Sequence, residues 1–92
     1  MGLFFTDKPK HVSPEEFKKV RNELADHDFT EKERDAVESF FATSMYETRE
    51  QDQGIDANEI QEGLNILREN YNVYHLSPQK LDILEQKLKK YL

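Results

Sequence analysis

The chain is predicted to be all-α, with four short helices arranged as two helical hairpins. Three observations predict that class. Helix-start signatures recur four times along the 92 residues. Behind each start, apolar residues return at helical spacing and form one stripe. The chain also lacks the turn chemistry of an all-β fold: only three Gly and three Pro stand beside 36% hydrophobic residues.

The first helix is expected over residues 14–25. In "VSPEEF", Ser13 caps, Pro14 takes the first helical position, Glu16 completes a capping box, and Val12 and Phe17 are spaced as a hydrophobic staple. Phe17, Val20 and Leu24 then share a face. The second helix, 31–46, starts at "FTEKER" with the box Thr30–Glu33, and carries Val37, Phe40, Phe41 and Met45. The third, 57–70, starts at "IDANEI" with box Asp56–Glu59 and staple Ile55–Ile60, followed by Leu64 and Leu67. The fourth, 78–91, starts at "LSPQKL", carries Leu81, Leu84, Leu88 and Tyr91, and ends among Lys87, Lys89 and Lys90, which suit a helix C-terminus. Residues 1–12 are expected to form a mobile N-terminal arm, and 13–92 a single domain. The two halves share spacings of seven residues, Phe17 to Leu24 with Ile60 to Leu67, and Thr30 to Val37 with Ser77 to Leu84. Either a duplication or the common grammar of helix hairpins would give these spacings, and the grammar is the expected source.

The composition narrows the function. With no cysteine, disulfides, thiolate zinc sites and cysteine nucleophiles are excluded. No apolar run reaches bilayer length, so a cytoplasmic location is expected. The formal net charge of −6 is concentrated at residues 30–59, where Lys32, Arg34 and Arg49 face nine carboxylates. Such acidity opposes nucleic-acid binding and suits a cation or a basic protein surface. A helix-turn-helix reading fails on the same ground, since its recognition helix would be the acidic "TEKERDAVESFF". There is no Gly-rich phosphate loop, no nucleophile elbow and no HExxH, and the isolated His11, His27 and His75 fall at turns. The chain is expected not to be an enzyme and to need no cofactor.

One stretch resembles part of a known motif. "DQGIDANE" is similar to the second half of an EF-hand, the helix–loop–helix calcium site, with a loop running from Thr48 to Glu59. In that register Thr48, Glu50, Asp52, the Gly54 carbonyl, Asp56 and Glu59 supply oxygens, and Ile55 takes the apolar position through which two loops pair. Thr48 brings no charge to the first position, and Gln53 stands where the sharp turn wants Gly. Nor do the turns near 26–29 and 71–76 have the length of a second loop. The helix-start reading already accounts for Ile55, Asp56 and Glu59.

"MGLFFT" fits an N-myristoylation pattern, and Phe4 and Phe5 are candidates for touching a membrane or a partner. The apolar doublets Phe40-Phe41, Ile66-Leu67 and Ile83-Leu84 widen each stripe. A broad buried face explains them; the functional alternative is an association seam with Ile66, Tyr74 and Ile83. Over most of its length the chain, through "FTEKERDAVESFF", "GIDANEIQEGLNILREN" and "HLSPQKLDILEQKLKKYL", resembles short, uncharacterised helical proteins of candidate-phyla bacteria. That resemblance implies no activity and no site, and a bacterial host would lack the myristoylation machinery. The expected function is a non-enzymatic protein-interaction module, working through an acidic face at 31–56 or through the apolar seam. The alternatives are a single-site calcium binder and attachment to a membrane through residues 1–6.

Overall fold

The computed structural model describes residues 11–46 and 53–92. A short strand β1 (His11–Val12) leads into helix α1 (Pro14–Leu24), a 3-10 turn (Ala25–His27) and helix α2 (Glu31–Met45). The second half repeats the order: strand β2 (Ile55–Asp56), helix α3 (Ala57–Glu69), the one-turn helix α4 (Tyr71–Tyr74) and helix α5 (Pro78–Lys89). The fold is all-α apart from the two-residue strands.

Local chemistry sets the helix starts. Ser13, Thr30 and Asp56 each accept from the backbone N–H three residues on, and Glu16, Glu33 and Glu59 return the bond to the cap's own N–H. Such reciprocal capping satisfies two of the backbone donors that a helix start leaves without partners. Ser77 caps α5 from its hydroxyl, with Pro78 at the first position.

The helix ends fall slightly earlier than the periodicity predicts. Ala25 leaves α1 for the 3-10 turn. Asn70 stops α3 at φ −118°, its side-chain amide donating to the Ile66 carbonyl at 2.7 Å. Tyr91 bonds back only three residues, to Leu88, which tightens the chain out of α5. A fifth helix, α4, occupies the turn expected at 71–76.

Two further features correct the sequence reading. The arm was expected to extend to residue 12, yet Val12 is completely buried and His11–Val12 pair antiparallel with β2, Val12 opposite Ile55. Residues 1–10 lie outside the described residues. The halves also agree beyond helix grammar. Asp28 and His75, 47 positions apart, are the non-glycine residues with positive φ among those described, at 66° and 56°. Arg21 of α1 forks onto Asp35 and Glu38 of α2, and Arg68 of α3, at the same offset, forks onto Asp82 and Glu85 of α5. Glu33 and Lys80, again equivalent positions, bridge the halves at 2.8 Å. The architecture is duplicated: strand, helix, short turn, left-handed residue, helix.

The hairpins α1–α2 and α3–α5 meet through α1 on α5 and through the strand pair. Phe17, Val20, Leu24, Phe41, Leu64 and Leu84 are among the side chains that fill the shared core, each at most 4% exposed.

Candidate functional site

Among the described residues no polar or charged side chain is buried, so binding chemistry is confined to the surface. Among the described residues the large exposed hydrophobics are Tyr46, Ile66, Tyr71 and Val73, and the last three fall at the end of α3 and on α4. Ile66 is 44% exposed, Tyr71 51% and Val73 66%. Two grooves flank α4. One, of about 360 Å³, is lined by Arg68, Tyr71, Leu76, Pro78 and Leu81. The other, of about 240 Å³, is lined by Lys32, Glu33, Ala36, Val73, Tyr74 and His75. A third groove, between α2 and α3, joins Phe40 to Ile66. Phe40 also meets Tyr74 edge-on at 5.5 Å between ring centres, so one ring borders both that groove and, through Tyr74, α4.

The duplication supplies an internal control for this patch. The starts of α1 and α3 align at 43 positions, but from the Arg21 and Arg68 forks to the left-handed residues the halves align at 47, and at that offset Lys19, Asp26 and His27 stand in the places of Ile66, Val73 and Tyr74. The same places in the same architecture are filled there by ionisable residues, so the fold does not require apolar ones. Tyr71 corresponds to Leu24, which is buried at the end of α1. The break at Asn70 ends α3 early, and Tyr71 then starts α4 half-exposed.

The sequence-predicted residues are distributed unevenly. Ile66 lies in the exposed patch; Tyr74 is half-buried beside it. Ile83 is half-buried on α5 and packs against the core. Phe4 and Phe5 lie outside the described residues, as do Thr48, Glu50 and Asp52 of the calcium reading. Of that set, Gly54 is buried with φ 103°, and Asp56 and Glu59 form the capping box of α3 at 2.8 and 3.0 Å. Among the described residues, no group of three or more His, Asp or Glu is placed to hold a metal. Ile55 pairs with Val12 across the two-strand sheet. The signal was present in the sequence, because Val12-Ser13 and Glu16 repeat Ile55-Asp56 and Glu59 at the same spacing.

The acidic face expected at 31–56 is largely neutralised on α2. Arg21 holds Asp35 and Glu38, and Lys80 holds both oxygens of Glu33 at 2.8 and 2.9 Å. Burial pushes the Glu33 carboxyl up, but hydrogen bonds from Lys80 and Thr30 outweigh it, and it titrates below the ordinary 4.5. Lys89 and Arg68 likewise hold Glu85 low. Burial and the bond to Glu38 raise the Tyr46 phenol. On α3, Glu62 and Glu69 make no hydrogen bond or ion pair among the described residues, and neither does Glu31 at the start of α2.

Among the described residues no helix is long and apolar enough to cross a membrane. Comparison of the chain with protein families, with curated proteins and with solved structures returns no match.

Proposed function

We propose that the protein is a non-enzymatic interaction module that docks an apolar partner surface on the end of α3 and on α4. One observation carries this reading: Val73 is 66% exposed where the equivalent position of the first half is Asp26. Exposing a large aliphatic side chain gains the fold nothing, and adjoining apolar exposure rimmed by polar residues is the mark of an association surface. The grooves on either side of α4 give a partner's side chains somewhere to enter. The ion pairs of α2 explain why the apolar surface is favoured over the acidic face of 31–56.

The test uses a short fluorescent amphipathic helix with leucines on one face and glutamines on the other. It should bind saturably by anisotropy, and the variants Val73→Asp and Ile66→Asp should abolish binding while leaving the melting temperature within about 3 °C, as expected for exposed sites. Equal binding by both variants would remove the patch from consideration.

A further inference from the structure

The groove between α2 and α3 has an apolar floor and an acidic rim. Phe40, Phe41, Gly63 and Ile66 line it together with Glu59 and Glu62, around a volume of about 230 Å³. That is below the size of small-molecule sites, about 300–1,000 Å³, and suits one long side chain. Gly63 shapes the floor. Lacking a Cβ, it lets the Phe41 and Phe40 rings close directly onto the α3 backbone.

The duplicated architecture shows what is different here. At the equivalent seam α1 packs on α5, and Lys87, 47 positions after Phe40, crosses to Glu23 at 3.2 Å. Lys90 reaches the same carboxylate at 3.6 Å, and the Tyr91 hydroxyl donates to it at 3.2 Å. That seam is closed by its own cations. Between α2 and α3, Phe40 stands in place of Lys87 and Asn70 in place of Glu23. Arg21, Lys80 and Arg68 are committed to carboxylates of α2 and α5. Glu62 is left at the groove, and Glu69 lies two turns further along the same side of α3.

We propose that this groove receives a lysine or arginine of a basic, amphipathic protein segment. Such a side chain has the two chemistries that the groove offers. Its alkyl stem covers Phe40 and Ile66, and its cationic head reaches the Glu62 carboxylate. A second basic residue two turns along a bound helix faces Glu69, about 10 Å away. The inference rests on the interaction reading above, since Ile66 belongs to both surfaces, and adds the partner's chemistry to it.

The test compares three labelled helices with the same leucine face and a polar face of lysine, glutamine or glutamate. Affinity should fall in the order lysine, glutamine, glutamate. The double variant Glu62→Gln/Glu69→Gln should weaken the lysine helix about two- to tenfold, the range of one or two exposed ion pairs, and leave the glutamine helix unchanged. Neutralising Glu31 at the start of α2 should change neither. Raising the salt should erase the advantage of lysine. If the glutamine helix binds as tightly as the lysine helix, the cation pocket is wrong while the apolar docking surface stands; if no helix binds, both fall. Deleting residues 1–10 and finding that the lysine helix then binds far more tightly would overturn the proposal in favour of an occupant from the chain itself. A concentration-dependent dimer sensitive to Glu62→Gln would overturn it in favour of a second copy.

Discussion

Gly63→Ala should destabilise the protein, although helix propensity alone predicts the reverse. Gly63 sits in the middle of α3. There an alanine normally gains about 1 kcal/mol, by better helix propensity and a less disordered unfolded chain. A Cβ built at this position, however, stands 2.6 Å from Cε1 and 2.8 Å from Cζ of Phe41, and 3.0 Å from Cε1 of Phe40. Whether the substitution helps depends on whether those rings can retreat. Phe41 is 4% exposed and packs edge-on against Phe17 at 6.2 Å and Phe40 at 5.0 Å; Phe40 in turn meets Tyr74 at 5.5 Å. Moving one ring means moving the others. Overpacking of this kind costs about 1–3 kcal/mol, so the net loss is about 0–2 kcal/mol, centred near 1. For a domain of this size the melting temperature falls about 4–8 °C per kcal/mol.

Thermal and urea unfolding measure this directly, with an unchanged urea slope showing that only stability has moved. The decisive comparison is Gly63→Ala in a Phe41→Leu background. With the ring gone, the propensity gain should reappear and the alanine should stabilise. The cycle then gives a coupling of about 1–3 kcal/mol between two residues in contact. A rise in melting temperature for Gly63→Ala alone would refute the reasoning, since the rings would then yield and Gly63 would not set the floor of the α2–α3 groove.

Three further outcomes are expected. Gly54→Ala should cost more than Gly63→Ala, about 2–4 kcal/mol by urea unfolding, because φ 103° disfavours any side chain and the new Cβ would meet the His11 ring and, at 2.6 Å, the Val12 carbonyl. Stability should be complete above pH 4.5 and fall as the pH drops below it, because Glu23, Glu33 and Glu85 all titrate below 4.5 in the folded protein. Glu33→Gln keeps a residue able to complete the capping box, so it should flatten that acid slope without removing the helix start; an unchanged slope would exclude the Lys80 pair as its source. Titrating calcium, with magnesium as control, should leave the amide resonances of Gly54 and Ile55 unmoved at micromolar ion; saturable shifts there would restore the calcium reading.

The helices were legible because their signals are local. Ser13 with Glu16, Thr30 with Glu33 and Asp56 with Glu59 each settle a helix start within four residues, with no information from elsewhere in the chain. What escaped the reading is set by distant partners. Val12 looks like half of a hydrophobic staple, and only the return of Ile55 makes it a strand residue. Asp and His adopt a left-handed backbone more readily than most residues, but nothing local fixes it at Asp28 and His75, and their shared conformation, with the matching forks of Arg21 and Arg68, reveals the duplication that shared spacings of seven residues leave open. The pairing of the charge on α2 is hidden from the sequence for a similar reason. Asp35 and Glu38 count as surface acidity until Arg21, on another helix, is placed beside them.

The apolar doublets show why a docking surface is harder to read than a core. Phe40-Phe41, Ile66-Leu67 and Ile83-Leu84 look alike in sequence, each with one side chain at the edge of a stripe. The core takes Phe41, Leu67 and Leu84. Of their neighbours, Phe40 and Ile83 are half-covered, while Ile66 remains exposed. Periodicity assigns a direction around the helix but not what lies in that direction, and for Ile66 nothing described covers it fully. Its equivalent in the first half, Lys19, meets the same geometry with a charge. Two residues at one structural position, one solvated and one apolar, separate what the architecture demands from what this surface adds to it. The comparison needs the fold, since equivalence at 47 positions is secured by left-handed residues and ion-pair forks rather than by sequence identity. On the proposed reading the apolar character of Ile66 and Val73 serves association, and the substitutions Ile66→Lys and Val73→Asp, which copy the first half, are the ones that should remove it at least cost to the fold.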